Sequence, residues 1–405
     1  MANNGATDGV SYRRLLTDPA LVSVFLISGV SALGNHAVPV ALPVIGETFA
    51  LTEAEIGVVM SAFTVAVLVA LPVVSVLADV YGRRPVVIPS LLLFGATGLA
   101  TLAADSYPAL LVLRALQGAA FTGTLPLTTT LTGDLYTGAE GSSAQGFRSG
   151  LNGLASAIAP VVAGFLAVLA WQYPFVLFGL SIPVAGLVYR YYPEPIERRE
   201  GSPEDLLSDV AAYWATLRRA VDRRLGVFMA GGFVLFFLKG GYATFLPVFV
   251  VSGLGAPVTV AGTILGVYGG TRVVVSPMSG SVMARAGRRN TILLGTGFGT
   301  LGMIAIPFSP TVVVLGAASA VYALGESLLN PVLNDGVAAA AEADQRAGVM
   351  AGLQILKNVA LTVAPVGMGA IIGAAGFTSA FVLAGTLGVG YFALVVVGYR
   401  PAAVR

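Results

Sequence analysis

Long apolar stretches separated by short polar turns occupy most of this chain. They fall at residues 20–45, 54–78, 86–104, 108–132, 147–169 and 174–192, then at 226–251, 259–284, 290–308, 311–334, 348–372 and 375–398. A helix that crosses a bilayer needs about 20 predominantly apolar residues, so each stretch predicts one span, tilted where it is long. Gly and Pro recur inside them, as is usual for membrane helices. The alternation over segments of about ten residues that marks a membrane barrel is absent.

Composition agrees with this pattern. Of 405 residues, 56% are hydrophobic and 10% charged, against roughly 25% charged in a soluble domain. The net charge of +2 says less than its distribution. With no cysteine and a single histidine, His36, neither a disulfide framework nor a thiolate or histidine metal site is expected. No cofactor is expected either. The polar start MANNGATDGVSYRRLLTDPA does not read as a cleavable signal peptide.

Arginine sets the expected orientation. Arg13 and Arg14 precede the first stretch, Arg83 and Arg84 follow the second, and Arg190 to Arg224 crowd the central segment. Arg285, Arg288 and Arg289 follow the eighth, Arg346 follows the tenth, and Arg400 and Arg405 end the chain. The alternate turns carry acids such as Glu47, Glu53, Glu55 and Asp105. The positive-inside bias places both termini and the central segment in the cytoplasm of a multi-pass cell-membrane protein.

The chain repeats itself. SVLADVYGRR (75–84) matches GSVMARAGRR (280–289) at an offset of 205, as do Ala159-Pro160 and Ala364-Pro365, and Pro72 and Pro277. Two six-helix halves in parallel orientation are implied, with a path between them. The expected domains are an N-terminal bundle (1–192), a cytoplasmic linker (193–225) and a C-terminal bundle (226–405). In the linker, Leu206, Leu207, Val210, Trp214, Leu217 and Val221 recur at helical spacing behind Ser202-Pro203. This predicts an amphipathic helix on the membrane or on the bundle ends, with a plain solvated connection as the alternative.

These residues resemble the major facilitator superfamily over essentially the whole chain. Leu77-Ala78-Asp79-x-x-Gly82-Arg83-Arg84 resembles the loop motif after its second helix, although Ser75 and Val80 replace a Gly and a basic residue. The second copy, with Gly280, Arg285, Gly287, Arg288 and Arg289, has Ala284 where the Asp belongs. The resemblance implies a gating latch; as residues alone, Gly82 and Gly287 permit tight turns and the arginines anchor the loops at an anionic surface. Arg114-x-x-Gln117-Gly118 resembles a fourth-helix pattern associated with proton-coupled members. Gly146, Ala155, Ala159-Pro160 and Ala163-Gly164 resemble the fifth-helix antiporter signature, with Ala at three of its Gly positions; by size alone they permit close helix packing. The fold implied is all-α integral membrane, twelve transmembrane helices in two pseudo-symmetric six-helix bundles, with helices 1, 4, 7 and 10 lining the cavity.

Charge inside the bilayer is costly, so ionisable residues there are candidates for function. They are Arg114, Lys239, Arg272, Glu326 and Lys357, and none lies on the third, sixth, ninth or twelfth stretch. The polar residues Asn35, His36, Asn152, Tyr242, Tyr268, Asn330, Asn334, Gln354 and Asn358 obey the same rule. Glu326 is expected to be the one carboxylate at mid-depth, either changing protonation during a cycle or forming a static bridge with Arg272 or Lys357. Proton coupling is thus expected at Glu326, His36 and Arg114. Substrate contacts are expected at Asn35, Gln117, Asn152, Lys239, Tyr242, Tyr268, Arg272, Asn330 and Lys357. The only lysines in the chain are Lys239 and Lys357. A lysine ammonium is a compact charge that changes protonation readily, whereas a guanidinium does not, and this distinction suits sites that change partner.

The expected function is alternating-access secondary transport, as proton-coupled efflux antiport of small amphiphilic compounds. A carrier of a small organic anion is the alternative. The partners expected are a small-molecule substrate, protons and lipid, without nucleic acid, for a monomer. An enzyme would need a nucleophile–base pair or paired carboxylates, and an ATP-driven pump would need a Gly-x-x-x-x-Gly-Lys-Ser/Thr loop; neither occurs.

Overall fold

The computed structural model describes residues 12–194, 223–342 and 345–398. Most of the 193–225 linker, including its expected amphipathic helix, lies outside the described residues. All described regular structure is helical. After a short helix, Tyr12–Thr17, the first half contains α1 (Pro19–Thr48), α2 (Glu53–Val80), α3 (Arg84–Ala103), α4 (Tyr107–Leu135), α5 (Gly138–Leu169) and α6 (Tyr173–Tyr191). The second begins with α7 (Leu225–Gly253), and α10 is Val312–Ala340.

Two further helical stretches, Val258–Phe308 and Gly348–Gly398, are 51 residues each. At 1.5 Å per residue either would reach about twice across a bilayer. Each contains a glycine with φ near +80°, Gly287 (φ 78°) and Gly376 (φ 80°), where the helix ends and restarts. They are hairpins of two spans: α8 (258–286) and α9 (288–308), then α11 (348–375) and α12 (377–398). Twelve spans are therefore present among the described residues, at the expected places.

Local chemistry fixes the ends. Asp18 caps α1, accepting from the Ala20 N–H at 2.9 Å ahead of Pro19. Thr52 and Glu55 form a capping box at α2. Gly82 (φ 99°) turns the chain from α2 into α3, and Gly287 turns it from α8 into α9.

Packing repeats across the halves. α1 packs on α5 as α7 packs on α11, α2 on α4 as α8 on α10, and α3 on α6 as α9 on α12. The outer faces of α3, α6, α9 and α12 expose Leu92, Leu93, Leu180, Leu187, Leu301, Leu383 and Val397, which is the apolar surface a bilayer covers. The halves meet chiefly through two pairs, α2 with α11 and α5 with α8, and α1 also touches α7 and α8. In both, contact is tightest toward the face opposite the arginines. A Cβ on Gly57 would lie 2.4 Å from the Pro365 carbonyl oxygen, one on Gly369 2.4 Å from that of Glu53, and one on Gly262 2.3 Å from that of Pro160. The Ser61 hydroxyl donates to the Thr362 carbonyl at 2.7 Å. The structure is thus closed on the far face.

Candidate functional site

Below that closure a cavity of about 550 Å³ lies between the halves. Its wall on α5 carries Arg148, Ser149, Asn152 and Ser156, on α8 Arg272 and Ser276, and on α10 Glu326 and Asn330. Glu326 is 1% exposed and is the centre of the charge arrangement. Lys239 Nζ on α7 donates to its Oε1 at 2.8 Å, and the Tyr268 hydroxyl on α8 donates to its Oε2. Arg272 Nε stands 3.4 Å from the same Oε1. One carboxylate thus ties α7, α8 and α10 together.

Beneath it, Tyr242, Tyr268 and Tyr322 pack ring against ring, with centroids 4.6–5.9 Å apart. Lys357, on α11, does not reach Glu326. Its Nζ donates to Asn330 Oδ1 at 3.1 Å and Asn334 Oδ1 at 2.7 Å. The Phe236 ring receives both ammonium groups, Lys239 at 5.3 Å and Lys357 at 4.8 Å. The static bridge foreseen for Glu326 therefore has Arg272 and Lys239 as partners, not Lys357. Among these groups three cations face one carboxylate.

His36 and Asn35 lie half-buried on α1. α1 touches α7 and α8 of the second half, so His36 is the imidazole that the first half brings to the helices of the cluster.

Arg114 and Gln117 are placed differently from expectation. Both are fully buried between α2, α3 and α4, and neither lines the cavity. Arg114 donates to the Val59 carbonyl at 3.3 Å and to Gln117 Oε1 at 2.8 Å, and its guanidinium covers the Phe63 ring at 4.5 Å. Gln117 Nε2 donates onward to the Thr101 hydroxyl at 3.1 Å. All of these partners are neutral, which fits a helix-pinning group better than a proton relay. Of the helix-packing set, Ala155, Ala159, Pro160 and Gly164 are buried, and Gly164 and Pro160 meet α8. Gly146 is exposed on the cavity, where a Cβ would touch nothing within 4 Å.

At the arginine-rich face, Arg83 donates to Asp79 Oδ1 at 2.6 Å and to Asp134 Oδ2 at 3.2 Å, and Glu194 accepts from the backbone N–H groups of Arg83 and Arg84. The second copy pairs Arg288 with Asp335 at 2.5 Å, and Arg289 donates to the Val396 carbonyl. Every one of these bonds stays within its own half, so the two loop motifs do not join the halves in this state. Sequence reading missed Arg148, Asp134, Asp335, Glu194, Tyr322 and Phe236. The 205-residue offset gives Arg288 as the equivalent of Arg83, but their aspartate partners lie just beyond the apolar stretches.

A twelve-span bundle of two like halves around a polar, charged cavity defines a membrane carrier. The family model for the Major Facilitator Superfamily matches residues 24–309 and 228–404, and the chain belongs to that superfamily; it is a transporter rather than an enzyme. Among curated relatives it is 32% identical over 190 residues to the efflux pump dotC of Dothistroma septosporum (strain NZE10 / CBS 128990), covering 46% of this chain and 31% of that protein. It thus spans about a third of that relative's length. It is 27% identical to the 3-(3-hydroxy-phenyl)propionate transporter of Escherichia coli (strain K12), over 85% of this chain and 87% of that one. Among solved structures, the nucleoside transporter NupG (D323A mutant) superimposes with a TM-score of 0.80 at 14% identity, over 94% of this chain and all of that one. At that identity the likeness is one of fold.

Proposed function

We propose that this chain is a proton-coupled secondary transporter that moves small amphiphilic compounds by alternating access, with the described structure open toward its cytoplasmic, arginine-rich face. The single observation behind this reading is Glu326: one buried carboxylate shared by Lys239, Arg272 and Tyr268, at the edge of a cavity between two halves clasped most tightly on the far side. Proton uptake there would release two cations at once. Rocking of the halves changes the surroundings of α8 and α10 and hence the proton affinity of the group they share. His36, presented from the other half, is the second proton site. The relative named as an efflux pump and the small residues of α5 favour export.

The test uses energised inverted membrane vesicles with an acid-interior dye and a panel of cationic, neutral and anionic amphiphiles. Dye recovery on adding a compound, abolished by Glu326→Gln, is expected. Recovery that survives Glu326→Gln unchanged would remove Glu326 from the coupling role.

A further inference from the structure

Resting on the reading of the cavity as the transport site, we propose that its substrate is an amphiphilic organic anion. Its acidic head is held at Arg148, and its apolar tail passes sideways over Gly146 and Gly150 toward the lipid.

The charge comes first. Arg148 stands in the cavity wall with neutral partners: Nε donates to Gln145 Oε1 at 2.8 Å and Nη1 to the Thr128 hydroxyl at 3.2 Å. Among the described residues it forms no ion pair with a carboxylate. Arg272, on the α8 wall of the same cavity, is already committed as an ion-pair partner of Glu326, its buried Nε 3.4 Å from Oε1. Among the described residues that line the cavity, Arg148 is thus the guanidinium without a carboxylate partner, and the one carboxylate, Glu326, is already paired. Ser149 and Asn152 sit beside Arg148 and supply neutral hydrogen-bonding groups. An anionic head gains charge-assisted hydrogen bonds here, and a cationic head meets like charge.

The slot comes second. On α5, a Cβ at Gly153 would lie 3.0 Å from Val273 Cγ2 of α8, whereas Cβ atoms at Gly146 and Gly150 would meet nothing within 4 Å. The two helices therefore part from Gly153 toward the arginine-rich face. A shallow depression along α5 alone shares Gly146 and Gly150 with the cavity. Its remaining lining includes Phe147, Leu151 and Leu154, and Leu154 is half exposed. A polar, cationic chamber and an apolar helix surface are thus separated by a rail without side chains. A head in the chamber and a tail along that surface is the ligand shape that fits both.

The test measures equilibrium binding to the full-length chain in nanodiscs, corrected for protein-free nanodiscs, with decanoate, butyrate, decanol and decylamine as probes. Decanoate is expected to bind about tenfold or more tightly than decanol or decylamine. Its advantage over butyrate should grow with chain length, by up to about fourfold per methylene buried. Arg148→Gln should weaken decanoate about tenfold, Arg148→Lys should recover most of that loss, and Gly150→Leu should flatten the chain-length dependence. Equal binding of decanoate and decanol by the unmutated protein overturns the proposal without reference to any variant. So does undiminished decanoate binding by a folded Arg148→Gln protein. Decanoate held through Arg148 that moves no protons in proteoliposomes would sink the proton-coupled reading and leave this site standing. Proton-coupled movement of decylamine without decanoate binding would do the reverse.

Discussion

Glu326 is almost wholly buried, and a buried carboxylate persists as a charge only if it is paired and hydrogen-bonded. Lys239, Arg272 and Tyr268 meet that need together. Breaking a buried ion pair by removing one partner costs about 3–5 kcal/mol. Glu326→Leu strands two cations and should take the full cost. Lys239→Met leaves Arg272 beside the carboxylate and should cost less. Thermal unfolding in detergent orders the two, and a larger loss for Lys239→Met would contradict the shared-carboxylate geometry. The sequence identified Glu326 and its possible cations because charge in an apolar stretch is conspicuous. It named Arg272 as a partner but not Lys239, since Lys239 lies 87 residues away and nothing local distinguishes it from Lys357. Arg148 escaped notice because it stands in the first turn of its predicted stretch, where a basic residue reads as a membrane anchor.

At the level of helices, the far-face clasp is made of backbone against backbone. Gly57 on Pro365, Gly369 on Glu53 and Gly262 on Pro160 leave no room for a methyl group. Overpacking of this kind costs about 1–3 kcal/mol, and it falls only on the state closed at the far face. Gly57→Ala or Gly262→Ala should therefore shift the two access states by about 5- to 150-fold. The chain has no cysteine, so single introduced thiols report access without background. Ser61→Cys should become more reactive from the far side and Asn152→Cys less reactive from the arginine-rich side. Unchanged reactivity at both would contradict the assignment of these glycines to the clasp. The spans themselves were legible from apolar run length, including the two hairpins hidden in 51-residue helical stretches. Which glycines touch across the halves was not, because small residues recur at helical spacing on several faces, and Gly146 shows one of them facing a cavity.

Across the whole molecule, the arginines of both loop motifs and Arg190 lie on one face, with the acids Glu47, Glu53 and Glu55 on the other. On the proposed orientation, taken from the positive-inside rule, the open face of the cavity points toward the cytoplasm. A single cysteine placed in the turn at residues 50–52 should react with an impermeant thiol reagent added to intact cells, and one placed at Gly138 only after lysis. The opposite result would invert the orientation and turn the described state into one open to the outside. The internal repeat was legible as an offset of 205 residues, and the packing of α1 on α5 and of α7 on α11 gives it a spatial meaning. The inter-half geometry was not legible, because the residues that close the far face belong to different halves.

The central claim is that proton movement is tied to substrate movement through Glu326. Its most direct test compares two fluxes in proteoliposomes containing the Glu326→Gln protein: substrate exchange at equal concentration on both sides, and uphill accumulation driven by an imposed pH gradient. Exchange needs the alternating motion alone, whereas accumulation also needs the coupling. The account predicts that the variant keeps exchange and loses accumulation. Accumulation equal to that of the unmutated protein would contradict it.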